Sequence, residues 1–134
     1  MGCSVQVLAQ IVTGRDPCNC ISVLAIENQD DFLILQECFT DSMGSFLIYS
    51  VISKATFQSM LSGEDPEPIP LLPYGFSILP DVTTTTTGEN FDGTLLTVMF
   101  QVSIANMGGN SESAVIAVTK LLRNMVQRIK AAVN

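Results

Sequence analysis

Histidine and tryptophan are absent from this chain of 134 residues, and tyrosine occurs only twice. Without an imidazole the chain cannot build a Ser-His-Asp or Cys-His nucleophile, a His-ligated zinc site or the usual general base of neutral pH. Charge is also scarce. Charged residues are 14% of the sequence, and 6 bases against 13 acids leave a net charge of -7. A surface that acidic repels phosphate, so no direct nucleic-acid contact is expected of this piece. No run approaches the roughly 18 uncharged apolar residues of a membrane span, and no basic segment leads into an apolar one as in a secretory signal. These absences lean towards a binding or regulatory module over an enzyme.

What is present is apolar. Hydrophobic residues reach 47%, a balance opposite to that of a disordered chain. The length predicts a single domain, 1–134, able to bury roughly two-thirds of its unfolded surface. Met1-Gly2 resembles a myristoylation start, but Gln6 stands where Ser or Thr is wanted, so it reads as a truncation artefact. Cys3, Cys18, Cys20 and Cys38 do not have zinc-knuckle spacing. They read as small apolar side chains in a reducing compartment.

Ser4 to Val12 alternates with period two, with Val5, Val7, Ala9 and Ile11 on one face, and predicts a half-buried strand. Further strands are expected over Cys20–Glu27, Asp31–Phe39 and Ser45–Ile52, joined by short turns, which makes a meander. Ser53 reads as the N-cap of a short helix over Ala55–Leu61, ended by Gly63 in the left-handed conformation. Leu72–Leu79 is a fifth strand, placed at an edge or bulged because of Pro73 and Gly75. Thr83–Thr87 forms a threonine loop, Thr94–Ala105 a sixth strand, and Ser111 caps a helix running to Val133. In that helix Val115, Val118, Leu122, Met125, Ile129 and Val133 make one apolar stripe. The sheet's apolar face and this stripe each need a partner, so the predicted fold class is α+β: an antiparallel, meander-rich sheet packed on a long C-terminal helix. Such a grip leaves room for an apolar cavity.

No catalytic, metal or cofactor set stands out. Asp30-Asp31 and Glu64-Asp65 are paired carboxylates, but they fall in polar turns and read as solvated caps. Gly108-Gly109 lacks the lysine of a phosphate loop. The candidate pocket-lining residues are Tyr49, Tyr74, Phe76, Met99, Val118, Leu122 and Met125, and the acidic, proline-stiffened loop offers Glu64, Asp65, Pro66 and Pro68 as candidate partner contacts.

Several segments together carry a resemblance. They are Gly14-Arg15-Asp16-Pro17-Cys18-Asn19-Cys20-Ile21-Ser22, Leu33-Ile34-Leu35-Gln36-Glu37 and Ser45-Phe46-Leu47-Ile48-Tyr49, with the stretches from Leu71 to Asp81 and from Gly93 to Gln101 the most specific. In that order they resemble the C-terminal START-associated region of plant class IV homeodomain–leucine-zipper transcription factors, over nearly the whole chain. The resemblance implies a START/Bet v 1-like helix-grip fold and a nuclear regulator whose homeodomain, zipper and START domain lie elsewhere. Family members act in epidermal development, and one is a flowering-time regulator. For that member the implied partner is a florigen-type protein of the phosphatidylethanolamine-binding class. Tyr74 departs from the family's small residue, and Thr83–Thr87 from its glycines. No helix precedes the first strand, which implies a fragment or a truncated grip.

The expected function is a non-catalytic regulatory domain, modulating transcription through a protein partner or a homodimer. The alternative is a module for an apolar lipid or sterol-like ligand, which needs a cavity of about 300 Å³ or more.

Overall fold

In the computed structural model, residues 4–64, 71–81, 93–103 and 110–133 are described, and the period-two stretches become six strands joined in chain order. These are β1 (Val5–Val12), β2 (Cys20–Ile26), β3 (Gln29–Asp41), β4 (Gly44–Ser53), β5 (Tyr74–Asp81) and β6 (Gly93–Phe100), all antiparallel to their neighbours. Two helices accompany them, α1 (Lys54–Ser62) between β4 and β5, and α2 (Ser111–Val133) after β6. This is the expected α+β class, with a six-stranded antiparallel sheet and a C-terminal helix. The chain forms two compact units, Met1–Gln101 and Val102–Asn134.

Local chemistry sets the turns of the first unit. The Asp41 carboxylate accepts from the backbone N–H groups of Met43 at 2.7 Å and Gly44 at 3.1 Å, which closes the β3–β4 hairpin. Gly44 is required there because a Cβ would lie 2.6 Å from the Ile78 carbonyl oxygen. Between β1 and β2, Asp16 accepts from the Cys18 N–H at 2.8 Å. Ser53 caps α1 as expected: its Oγ accepts from the Thr56 N–H at 3.1 Å. Gly63 ends that helix at φ 74°. Helix α1 packs on β3 and β4. Near that end of the strands, Leu33 and Ile52 pair across the ladder and are buried. Each such side chain contributes about 1.5–3 kcal/mol by leaving water.

Three expectations need correction. Strand β1 is exposed along its whole length. It is an edge strand, paired among the described residues only with β2, and a register shift between Val7 and Ala9 adds a residue that turns Val7 and Ile11 to opposite faces. Strand β5 lies inside the sheet, between β4 and β6. Pro73 precedes it, Pro80 lies past the last β4 pairing at Ser45–Ile78, and Gly75 pairs regularly with Ile48 and Met99 on its two sides without interrupting the ladder. Finally, Asn110 caps α2 in place of Ser111, its side-chain oxygen accepting from the Glu112 N–H at 3.0 Å. The threonine loop, Gly108-Gly109 and residues 104–105 of the expected sixth strand lie outside the described residues.

Candidate functional site

Antiparallel partners share a face of the sheet, so register decides which side chains meet. It strings Cys20, Cys38, Leu47, Phe76 and Val98 into one row, and Ser22, Gln36, Tyr49, Tyr74 and Phe100 into the next row of the same face. The rings form a stacked series. Tyr49 and Tyr74 lie 5.3 Å apart by centroid, Tyr49 and Phe76 6.4 Å, and Tyr74 and Phe100 6.5 Å. Beside them is an open pocket of about 480 Å³ whose walls include Cys18, Cys20, Cys38, Leu47, Phe76 and Ile78.

Two groups of this face, Tyr49 and Cys38, are less acidic than usual. Burial, helped by the neighbouring Tyr74, pushes the Tyr49 phenol above its ordinary value. Burial also raises the Cys38 thiol, against a hydrogen bond from Gln36 Nε2 at 3.3 Å that lowers it. The Asp16 carboxylate raises exposed Cys18, first through a hydrogen bond. Thiols and phenols held neutral suit apolar or aromatic company more than nucleophilic chemistry.

The opposite face carries a second pocket, of about 360 Å³, whose lining includes Ile21, Leu35, Ile48, Leu71 and Pro73, with Glu37 its charged residue. Ser50 Oγ donates to the Leu72 carbonyl at 3.4 Å and ties the 71–73 segment to β4.

Of the candidate pocket residues, Tyr49, Tyr74 and Phe76 are brought together on one face. Met99 pairs with Gly75 on the other face, because alternation separates it from Phe100. Val118, Leu122 and Met125 lie on α2, in the second unit. Of the candidate partner contacts, Glu64 is exposed, whereas Asp65, Pro66 and Pro68 lie outside the described residues. Sequence reasoning missed Cys20, Cys38, Leu47 and Phe100 as neighbours of the tyrosines. The missing signal was register, since pairing continued without a shift from Ile26–Gln29 would set Cys20 against Leu35 instead of Cys38.

Sequence comparison decides the family. The model described as PDF2-like, C-terminal domain, matches residues 1–134. The chain belongs to this PDF2-like C-terminal domain family. Its relatives include homeobox-leucine zipper proteins HDG11 and HDG8 of Arabidopsis thaliana, 40% and 36% identical, and ROC8 of Oryza sativa subsp. japonica, 38% identical. Each alignment covers 99% of this chain, but only 20%, 22% and 22% of the three relatives respectively. A PDF2-like C-terminal domain thus spans about a fifth of the relatives it matches. The resemblance to homeodomain–leucine-zipper proteins therefore holds over the whole chain. No solved structure matches it. Among the described residues no helix is long and apolar enough to cross a membrane.

Proposed function

We propose that the chain, residues 1–134, is a single non-catalytic regulatory domain of a nuclear homeobox-leucine zipper transcription factor, acting through a protein partner or a second copy of itself. The carrying observation is the match of the whole chain to the C-terminal domain of such proteins. The surface supports the reading. Strand β1 ends the sheet, has no charged residue and exposes Val7 at 55% and Ile11 at 67%. An uncharged, apolar edge strand is a template for pairing with another chain unless it is blunted by charge or proline. The relatives are named for a leucine zipper, a coiled coil that joins helices of two chains. Once joined, two copies of this domain would meet at high effective concentration. Light scattering over a range of concentrations, with capture from plant nuclear extract, tests the reading. A chain that is strictly monomeric and partnerless contradicts it.

A second reading has a specific observation behind it. Pockets of about 480 and 360 Å³ open on the two faces of the sheet, both above the size an apolar ligand needs. Native mass spectrometry after mild extraction tests for a retained lipid or sterol-like molecule. Its absence, together with failure of added ligands to raise thermal stability, would remove this reading.

A further inference from the structure

Two thiols face each other on the floor of the larger pocket. Cys20 is the register partner of Cys38 across β2 and β3, flanked by the regular pairs Ile21–Glu37 and Ser22–Gln36. Directly opposed residues of an antiparallel pair have Cα atoms about 4.5–5.5 Å apart, inside the roughly 4.4–6.8 Å window of a disulfide. The neighbours Ser22 and Gln36, themselves register partners, hold the two sulfurs: Cys20 Sγ lies 3.6 Å from Ser22 Oγ, and Cys38 Sγ accepts from Gln36 Nε2 at 3.3 Å. Cys20 is buried, Cys38 half-buried and Cys18 exposed, and all three line the pocket. The pocket thus gives a small oxidant access to Cys38, with Cys20 behind it as the thiol that can close the bond.

We propose that Cys20 and Cys38 are a redox modification site, converted by peroxide into a cross-strand disulfide that links β2 to β3 across the pocket floor. The Cys38 thiolate attacks one peroxide oxygen, the O–O bond breaks, hydroxide leaves, and Cys38 becomes a sulfenic acid. The Cys20 thiolate then attacks the Cys38 sulfur, the S–O bond breaks and a second hydroxide leaves. With the two thiol protons the balance is two water molecules per peroxide; both sulfurs are oxidised and the peroxide is reduced. The link draws the Cys38 sulfur, which accepts from Gln36 Nε2 at 3.3 Å, towards Cys20 and leaves neither sulfur with a hydrogen to donate. It therefore changes the surface a ligand or partner meets beside Phe76 and Leu47. Burial keeps the thiolate fraction of Cys38 small, so the reaction is slow beside that of an activated cysteine.

The decisive sample is the folded chain carrying Cys3→Ser and Cys18→Ser, treated with hydrogen peroxide and digested with trypsin and a glutamate-specific protease. Cleavage after Glu27 separates Cys20 from Cys38. The expected product is the two peptides joined, lighter by two hydrogens than their sum, formed at a rate independent of protein concentration. Once Cys38 is a sulfenic acid, the native register should favour closure by Cys20 over further oxidation to sulfinic acid about tenfold more than in denaturing urea. Adding Cys38→Ser or Cys20→Ser should abolish the joined species, and circular dichroism confirms that each variant retains its sheet. Free thiols after treatment, sulfinic acid without a link, or a ratio of joined species to sulfinic acid no higher in the folded chain than in urea would each overturn the proposal. So would a wild-type chain that joins Cys18 in preference to the Cys20–Cys38 pair.

Discussion

The carboxamide of Asn19 pairs with the backbone of Thr40 as if it were one more residue of β2. The Thr40 N–H donates to Asn19 Oδ1 at 2.7 Å, and Asn19 Nδ2 donates to the Thr40 carbonyl at 3.1 Å. Asn19 also uses its own backbone, accepting from the Thr13 N–H at 2.8 Å and donating to the Asp16 carbonyl at 2.9 Å. One buried side chain therefore locks the β1–β2 turn to the far end of β3, directly beside the Cys20–Cys38 pair. Asn19→Ala should lower stability by about 2 kcal/mol, because it strands two partly buried backbone groups. Asn19→Asp keeps the acceptor but loses the donor, and should also destabilise. Urea unfolding followed by circular dichroism checks both.

Gly44→Ala tests the approach of β4 to β5. The added methyl would meet the Ile78 carbonyl oxygen at 2.6 Å, and backbone there cannot swing aside like a flexible side chain. A loss of about 1–3 kcal/mol is expected. Gly63→Ala is the companion, since among the described residues nothing lies within 4 Å of the added methyl but φ is 74°. It should cost about 1 kcal/mol through backbone strain alone. Faster amide exchange along β5 in Gly44→Ala, and unchanged exchange there in Gly63→Ala, separates the two causes.

Ser53→Ala removes the cap of α1, where Ser53 Oγ also donates to Thr56 Oγ1 at 2.8 Å. A loss of about 1 kcal/mol is expected, with Ser53→Asp retaining most of the stability. Thermal unfolding reads this directly.

Stability should fall at high pH in part through Tyr49. Burial raises its phenol above the ordinary tyrosine value of about 10, so the folded state holds the proton more tightly than the unfolded state. Its contribution is complete below about pH 10 and is lost as pH rises through the folded value. Tyr49→Phe should flatten this part of the stability curve and remove a late-titrating phenolate from the ultraviolet absorbance. An unchanged titration in Tyr49→Phe would contradict the assignment.

The meander was legible from the sequence because the strand stretches are divided by the turn chemistry of Asp41 and Gly44 and stopped by the caps Ser53 and Gly63. The site was legible only in part. Composition and alternation nominate Tyr49, Tyr74 and Phe76, but which residue faces which depends on register shifts at Val7/Ala9 and Ala25/Ile26 that no turn residue announces. One shift turns Val7 and Ile11 of the exposed edge strand β1 to opposite faces, and the other creates the Cys20–Cys38 pair. The place of β5 was misread for a related reason. Pro73 and Gly75 resemble strand breakers in one dimension, yet one stands before the strand and the other keeps regular pairing with both Ile48 and Met99.

The central claim is that the chain works by holding another protein, with β1 as the contact. It is tested most directly by capture on the immobilised chain from plant nuclear extract containing a differently tagged second copy, comparing wild type with Val7→Lys/Ile11→Lys. Both positions are exposed, so the variant should unfold within about 0.5 kcal/mol of wild type. The account predicts that wild type retains either the second copy or one defined nuclear protein, and that the variant loses it. Equal capture by the two chains, or none by either, would contradict it.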